Sequence, residues 1–362
     1  MAYTTIDDPS AYFHTQLYAG DASGNAQNIT NDANAGDFKP DWLWIKERTS
    51  TSNHMVMDSS RAGDYNRIMP NKSDTEITSD PAVLPLTDGF SVADSDGGLN
   101  QASQTYVAWQ WKANGGTRVT YSESGDNPAG GYQVNTTAGF SIVDWTGTGG
   151  AGGTAAHGLG AVPHVIITKT RNIANDWAVY HHKNTSAPET DYLVLNTTAA
   201  TVDNVNRWND TVPTSTNLVF GDGGGVNSND QTQIAYVFTE IQGYSKFGSY
   251  TGNADNNGPF IYLGFSPAWL LIKCSVGHTE SWHVWDNKRV LLGGNPNQAA
   301  LSPDTTGTDT ASSTPYNIDF LSSGFKIRED HDVTNGDGDT YIYMAFAESP
   351  FVSSKGVPTT AR

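Results

Sequence analysis

The run DVTNGDGD at 332–339 holds the residues whose types and spacing come nearest to a site. Asp332, Asn335, Asp337 and Asp339 recur along one acidic turn and can offer oxygen ligands to a hard cation such as Ca2+. An EF-hand loop would carry Glu at its twelfth position, and none follows here. The reading is therefore a tight acidic turn and no cofactor, with Ca2+ as the one candidate ion. His181 and His182 are adjacent, so in a strand they point to opposite faces and cannot readily share a metal. Glu329, Asp330, His331 and Asp332 form the densest acidic cluster and read as a solvated turn. Trp208 lies in the polar run NRWND, outside any apolar strand, and is the tryptophan best placed to stack on a sugar as a glycan or receptor contact.

Other chemistry is missing from the sequence. There is no GxSxG elbow. The runs GTGGAGG (147–153) and GDGGG (221–225) lack the Lys-Ser/Thr of a phosphate loop. No pair of carboxylates stands out for glycan cleavage. The expectation is a protein that is not an enzyme.

The elements that would hold such residues repeat. PDWLWIK (40–46), PHVIITK (163–169) and PAWLLIK (267–273) share Pro first and Lys seventh. HMVMD (54–58), WAVYH (177–181) and WHVWD (282–286) follow after a short polar turn. VAWQW (107–111), IAYVF (234–238) and MAFAE (344–348) close each copy, with Ala108, Ala235 and Ala345 aligned and an aromatic after each. Pro opens a strand where its missing N–H costs no ladder bond. Residues apolar at both parities predict a central strand buried on both faces. Lys46, Lys169 and Lys273 are expected where each strand re-emerges into water, their stems covering its end.

Each copy holds about seven short strands separated by turn residues, a pattern of antiparallel sandwiches or jelly rolls. The fold class expected is all-β, with three tandem related antiparallel β-sandwich (jelly-roll or lectin-like) units. These span 1–115, 139–242 and 243–362, with a Gly-rich linker at 116–138.

Composition narrows the function. The chain has 362 residues and a net charge of −18. Nucleic acid is an improbable partner for such a surface, because phosphate binding needs a basic face. No run approaches the ~18 apolar residues of a membrane span, so membrane insertion is not expected. The start, MAYTTIDDPSAYF, is polar and acidic and does not read as a signal peptide. The lone Cys274 follows an aliphatic strand and reads as a buried, inert thiol.

TTIDDPSAYFHTQLYAGD, FKPDWLWIKERTSTSNHMVMDSSR, TYVAWQWKANGG and MAFAESPF, with HGLG (157–160) before a Pro-led strand, resemble tail-fibre-like virion proteins of tailed phages, of the marine phage and cyanophage type. The resemblance implies a structural virion protein, a tail fibre or host-facing appendage that binds a host surface receptor. It implies a location in the virion, with other virion proteins and a host glycan or protein as partners. It also implies a homo-oligomer, a trimer first. A capsid decoration or vertex protein is the alternative, and a virion glycan depolymerase ranks last.

Overall fold

The computed structural model describes residues 3–21, 25–32, 38–61, 66–78, 83–93, 98–289, 294–309 and 316–359. The chain is all-β. Its strands fall into three groups. The first holds β1 (Phe13–Ala19), β2 (Gln27–Ile29), β3 (Trp42–Glu47), β4 (Met55–Asp58), β5 (Val83–Pro85), β6 (Phe90–Val92) and β7 (Thr105–Trp111). The second holds β8 (Val119–Tyr121), β9 (Gly130–Asn135), β10 (Phe140–Thr146), β11 (Gly153–Ala156), β12 (Val165–Thr170), β13 (Ala178–His181), β14 (Asp191–Val194), β15 (Val202–Asp203), β16 (Asn217–Phe220) and β17 (Thr232–Phe238). The third holds β18 (Ser245–Thr251), β19 (Phe260–Tyr262), β20 (Phe265–Val276), β21 (His283–Asp286), β22 (Ile318–Leu321), β23 (Gly324–Ile327) and β24 (Thr340–Pro350). Among the described residues no helix is long and apolar enough to cross a membrane.

Each group builds a core sheet in the same strand order. The orders are β1-β7-β3-β4, β10-β17-β12-β13 and β18-β24-β20-β21, all antiparallel. The second sheet is widened to eight strands by β9 and β8 on one side and by β14 and β15 on the other. A small sheet lies over each core sheet: β2-β6-β5, β11-β16 and β19-β23-β22.

The Pro-to-Lys strands β3, β12 and β20 sit inside their sheets, buried on both faces as their double-parity apolar pattern requires. One face of each core sheet turns toward the other two. Trp42, Trp44 and Trp111 of the first, Ile167, Tyr236 and Phe238 of the second, and Trp269, Leu271 and Phe346 of the third belong to one continuous cluster. Trp42 stacks on Tyr236 at 4.5 Å, Trp111 meets Trp269 at 5.6 Å, and Phe238 meets Phe346 at 5.8 Å. The opposite face packs under the small sheet of its own group, as Leu43 and Ile45 do with Phe90 and Val92.

Two expectations need correction. The stretch 116–138 carries β8 and β9, and β9 pairs with β10 over Gly130–Asn135. Gly130 and Gly131 mark close approach, not slack: a Cβ on Gly130 would lie 2.2 Å from the Asp144 carbonyl oxygen. The closing strands also align differently. Lys46, Lys169 and Lys273 stand opposite Val107, Ile234 and Ile342, so Tyr343, not Ala345, matches Ala108 and Ala235. A strand buried on both faces has no polar alternation to fix its register in the sequence.

Trp269 is 1% exposed at the meeting of the sheets. Trp269→Ala is expected to cost ~3–5 kcal/mol through loss of contact and a cavity. Urea denaturation measures it, and an unchanged midpoint would place this side chain outside the core.

Candidate functional site

The three lysines do not reach water. Lys46, Lys169 and Lys273 are fully buried. Lys169 Nζ donates to the Ser73 carbonyl at 3.1 Å and Lys273 Nζ to the Thr198 carbonyl at 2.9 Å, each acceptor in the preceding strand group. Lys46 Nζ donates to the Glu47 carbonyl at 2.5 Å. The sheet that covers each strand end comes from distant sequence, so the stem finds protein where a single sheet would leave solvent. Burial pushes each ammonium down to about 8.

Equivalent residues join the sheets all the way round. Trp177 Nε1 donates to the Met69 carbonyl at 3.0 Å, joining second to first. Trp282 Nε1 donates to the Val194 carbonyl at 2.9 Å, joining third to second. His54, in the matching place, meets the Ser302 carbonyl at 3.0 Å and closes first to third. Main-chain bonds repeat the pattern: Glu76 N–H to the Arg171 carbonyl (2.7 Å), Thr201 to Ser275 (3.0 Å) and Asp309 to Arg48 (3.0 Å).

The last residues of β4, β13 and β21 anchor three polar chains. Asp58 accepts from Arg61 at 2.7 Å and from the Tyr236 hydroxyl at 2.8 Å; Arg61 pairs with Glu76, and Glu76 with Arg171. Asp286 accepts from Arg289 at 2.6 Å and from Trp109 Nε1 at 2.9 Å; Arg289 pairs with Asp309, and Asp309 with Arg48. Among the described residues the seam between second and third sheets has no such chain of ion pairs: His181 Nε2 meets the Tyr343 carbonyl at 3.1 Å, and Thr201 donates to Asn184 at 2.7 Å. Burial, then the neighbouring His182, pushes His181 down to about 3, so it is uncharged at neutral pH. A void of about 10 Å³ lies at this seam beside Leu195, Leu271 and Trp282.

The acidic turn assembles only in part. Asp332 and Asp339 converge with His278, whose Nδ1 lies 2.6 Å from Asp339 and whose Nε2 lies 3.5 Å from Asp332. The hydrogen bond and then the charge of Asp339 raise the His278 pKa, and the ring lies between the two carboxylates. Asn335 is buried outside the group: its Nδ2 donates to Asn253 and to the carbonyls of Asp255 and Glu329, and its Oδ1, the atom that could ligate a cation, accepts the Asn253 N–H at 2.8 Å; Asp337 stands exposed outside the group. His278 was not anticipated, because it lies 61 residues from Asp339 in the turn after β20. One imidazole and two carboxylates differ from the all-oxygen shell that Ca2+ takes.

Trp208 is not a surface platform. It is 2% exposed at the end of a helical turn, Val205–Trp208; its Nε1 donates to the Asp191 carbonyl at 3.1 Å, and its ring meets Tyr180 edge-on. The polar run around it covers it. Cys274 is buried, and burial pushes its thiol up to about 11, which leaves it unreactive.

The exposed aromatics are elsewhere. Phe260 and Tyr262 on β19 are 48% and 50% exposed while Ile261 between them is buried. Two residues apart on one strand, they face outward about 7 Å from each other. Lys246 Nζ donates to the Tyr262 carbonyl at 2.7 Å and stands 5.5 Å from its ring centre. The matching strand β11 carries only Gly, Thr and Ala.

One family profile, described as Domain of unknown function (DUF7483), matches residues 8–350. The chain belongs to that family. The matched DUF7483 span runs from just before the first turn to the last residue of β24, so it takes in all three core sheets. No curated protein and no solved structure matches the chain.

The seams generate two predictions. Unfolded lysine titrates near 10.5 and these three near 8. Below about pH 8 both states are protonated and folding carries the cost of burying the ammonium groups. Above it the unfolded chain binds more protons, so stability rises with pH. The melting temperature is expected to climb from about pH 8 to about 9.5, before unfolded tyrosines titrate, and Lys169→Met should flatten part of that slope. Asp286→Ala removes one of the two carboxylates of the buried Arg289 and leaves the buried Trp109 N–H without its acceptor, and is expected to cost ~3–5 kcal/mol. Removing the exposed Lys72–Asp74 pair should change urea stability by less than ~1 kcal/mol.

Proposed function

We propose that this DUF7483 protein is a non-enzymatic structural component of a tailed-phage particle, a tail fibre or other host-facing appendage that binds a receptor on the host surface. In this reading the strand groups are three tandem jelly-roll-like sandwiches, and the chain sits in the virion among other virion proteins, with a homotrimer the first expectation. The motif resemblance supports the class. The outward pair Phe260 and Tyr262 carries the binding role: two aromatic faces with a lysine alongside can stack on sugar rings, the task first given to Trp208. The matching positions of the second group lack aromatics, so the pair is not required by the shared architecture.

Purified protein is expected to block phage adsorption to host cells. Phe260→Ala with Tyr262→Ala should weaken the block at least ~10-fold, a loss of ~1.4 kcal/mol or more, while the melting temperature holds. Blocking that survives both changes would remove the pair from the contact. Antibody label on the head would make the protein a capsid decoration, and release of reducing ends from host polysaccharide would make it a depolymerase.

A further inference from the structure

The outer edges of the core sheets begin with β1, β10 and β18. Opposite the lysine-facing residues of the closing strands stand Leu17, Asp144 and Ser249, so two residues earlier Thr15, Ile142 and Phe247 are equivalent. Antiparallel pairs alternate between bonding inward and pointing away. Tyr12 and Gly20 bond the β7 side, through Lys112 at 3.0 Å and Gln104 at 2.9 Å, so Thr15 turns its N–H and C=O outward.

Two of these three positions are closed. Ile142 stands opposite Gln133 of β9, and Gln133 Nε2 donates to Ser59 and Ser60 of the first group at 2.7 Å each. The Phe247 N–H donates to Glu240 at 2.7 Å, and its C=O meets His182 Nε2 at 2.7 Å. Among the described residues Thr15 has neither arrangement. The residue matching His182 is Asn287, one beyond Asp286, and Glu348 is engaged by the Ser266 hydroxyl at 3.2 Å. A cleft of about 300 Å³ opens there between first and third groups, lined by Thr15, Asn287, Lys288, Asp8, Asp32 and Glu348. Thr15 is 3% exposed, and its hydroxyl has no hydrogen-bond partner. A buried polar group left so is costly, and it marks a place made for a partner.

We propose that the slot beside Thr15 receives an extended peptide segment of a partner protein, paired to β1 as β9 is paired to β10, with a basic side chain where β9 carries Gln133. The occupant is a strand because the equivalent edge of the second sheet already holds one. It is basic because the walls carry three carboxylates against one lysine, and Lys288 is itself paired with Asp32 at 3.0 Å. Edge pairing supplies affinity through main-chain bonds and selectivity through alternate side chains. This surface is separate from Phe260 and Tyr262 and stands whether or not the host-facing reading does.

The test uses the whole protein and a synthetic peptide copying residues 129–136 with Gln133→Lys. In 15N spectra the peptide is expected to shift the Thr15 amide and slow its hydrogen exchange. Thr15→Pro should keep the melting temperature, because its lost N–H faces the slot, yet weaken binding at least ~10-fold. The unaltered peptide should bind more weakly, and high salt should erase the difference. No shift at Thr15 up to ~1 mM peptide, or equal binding by Thr15→Pro, would overturn the proposal. So would a Thr15 amide already protected in the free protein, which would mean that the chain fills its own slot. Concentration-dependent self-association lost in Thr15→Pro would give the slot to a second copy instead.

Discussion

A sheet buried on both faces leaves the ends of its central strand nowhere polar to go, and most of this structure follows from solving that problem three times. β3 and β12 begin just past their prolines, β20 takes Pro267 at a register shift near its start, and each strand then carries a lysine whose ammonium must find carbonyls inside the protein. Two of the three lysines find them in the preceding strand group. The indole or imidazole at 54, 177 and 282 and the Asp or His at 58, 181 and 286 obey the same need at neighbouring points. Joining the sheets and satisfying buried polar atoms are therefore one event, and neither is complete until all three sheets have met.

The seams solve it with different chemistry. Two use an Asp–Arg–acid–Arg chain, in which burial works against the Arg61 and Arg289 charges while the paired carboxylates outweigh it and hold both pKa values high. The third uses His181, Asn184 and Thr201, with the Lys273 ammonium held by carbonyls and, among the described residues, no ion-pair chain. Breaking a buried charged chain leaves a stranded ion, whereas breaking a neutral one leaves only unpaired dipoles. The bond geometry is matched around the ring while the energy of parting is not.

The central strands were legible because three copies of Pro, a run of three or more apolar residues and Lys admit few structures, and the tryptophans at 42, 44 and 269 fall inside the core as that pattern requires. The fate of the lysines was not legible, because their acceptors lie 96 and 75 residues away. Trp208 misled for a related reason: a polar neighbourhood in sequence says nothing of a helical turn that folds the ring inward. In Phe260, Ile261 and Tyr262 all three side chains are apolar, so no alternation reveals which two face out. Asp332 and Asp339 could be named from their turn, but His278 could not, since spacing carries no trace of a partner 61 residues away.

Tyr3 bonds the Gly264 carbonyl at 2.8 Å, and Asp7 accepts from the Ser354 N–H at 2.6 Å, so the two ends of the chain lie side by side where the third group meets the first. That junction is the one that the backbone does not span. Loop-closure entropy grows only as the logarithm of length, about 0.6 kcal/mol for each doubling, so a noncovalent clasp suffices to hold ends that are some 350 residues apart. Topologically the molecule is close to an endless band with a cut in it. A circular permutant that ties the present ends together and begins at the turn between β17 and β18 would keep every seam while moving the cut to the one held by His181, Asn184 and Thr201.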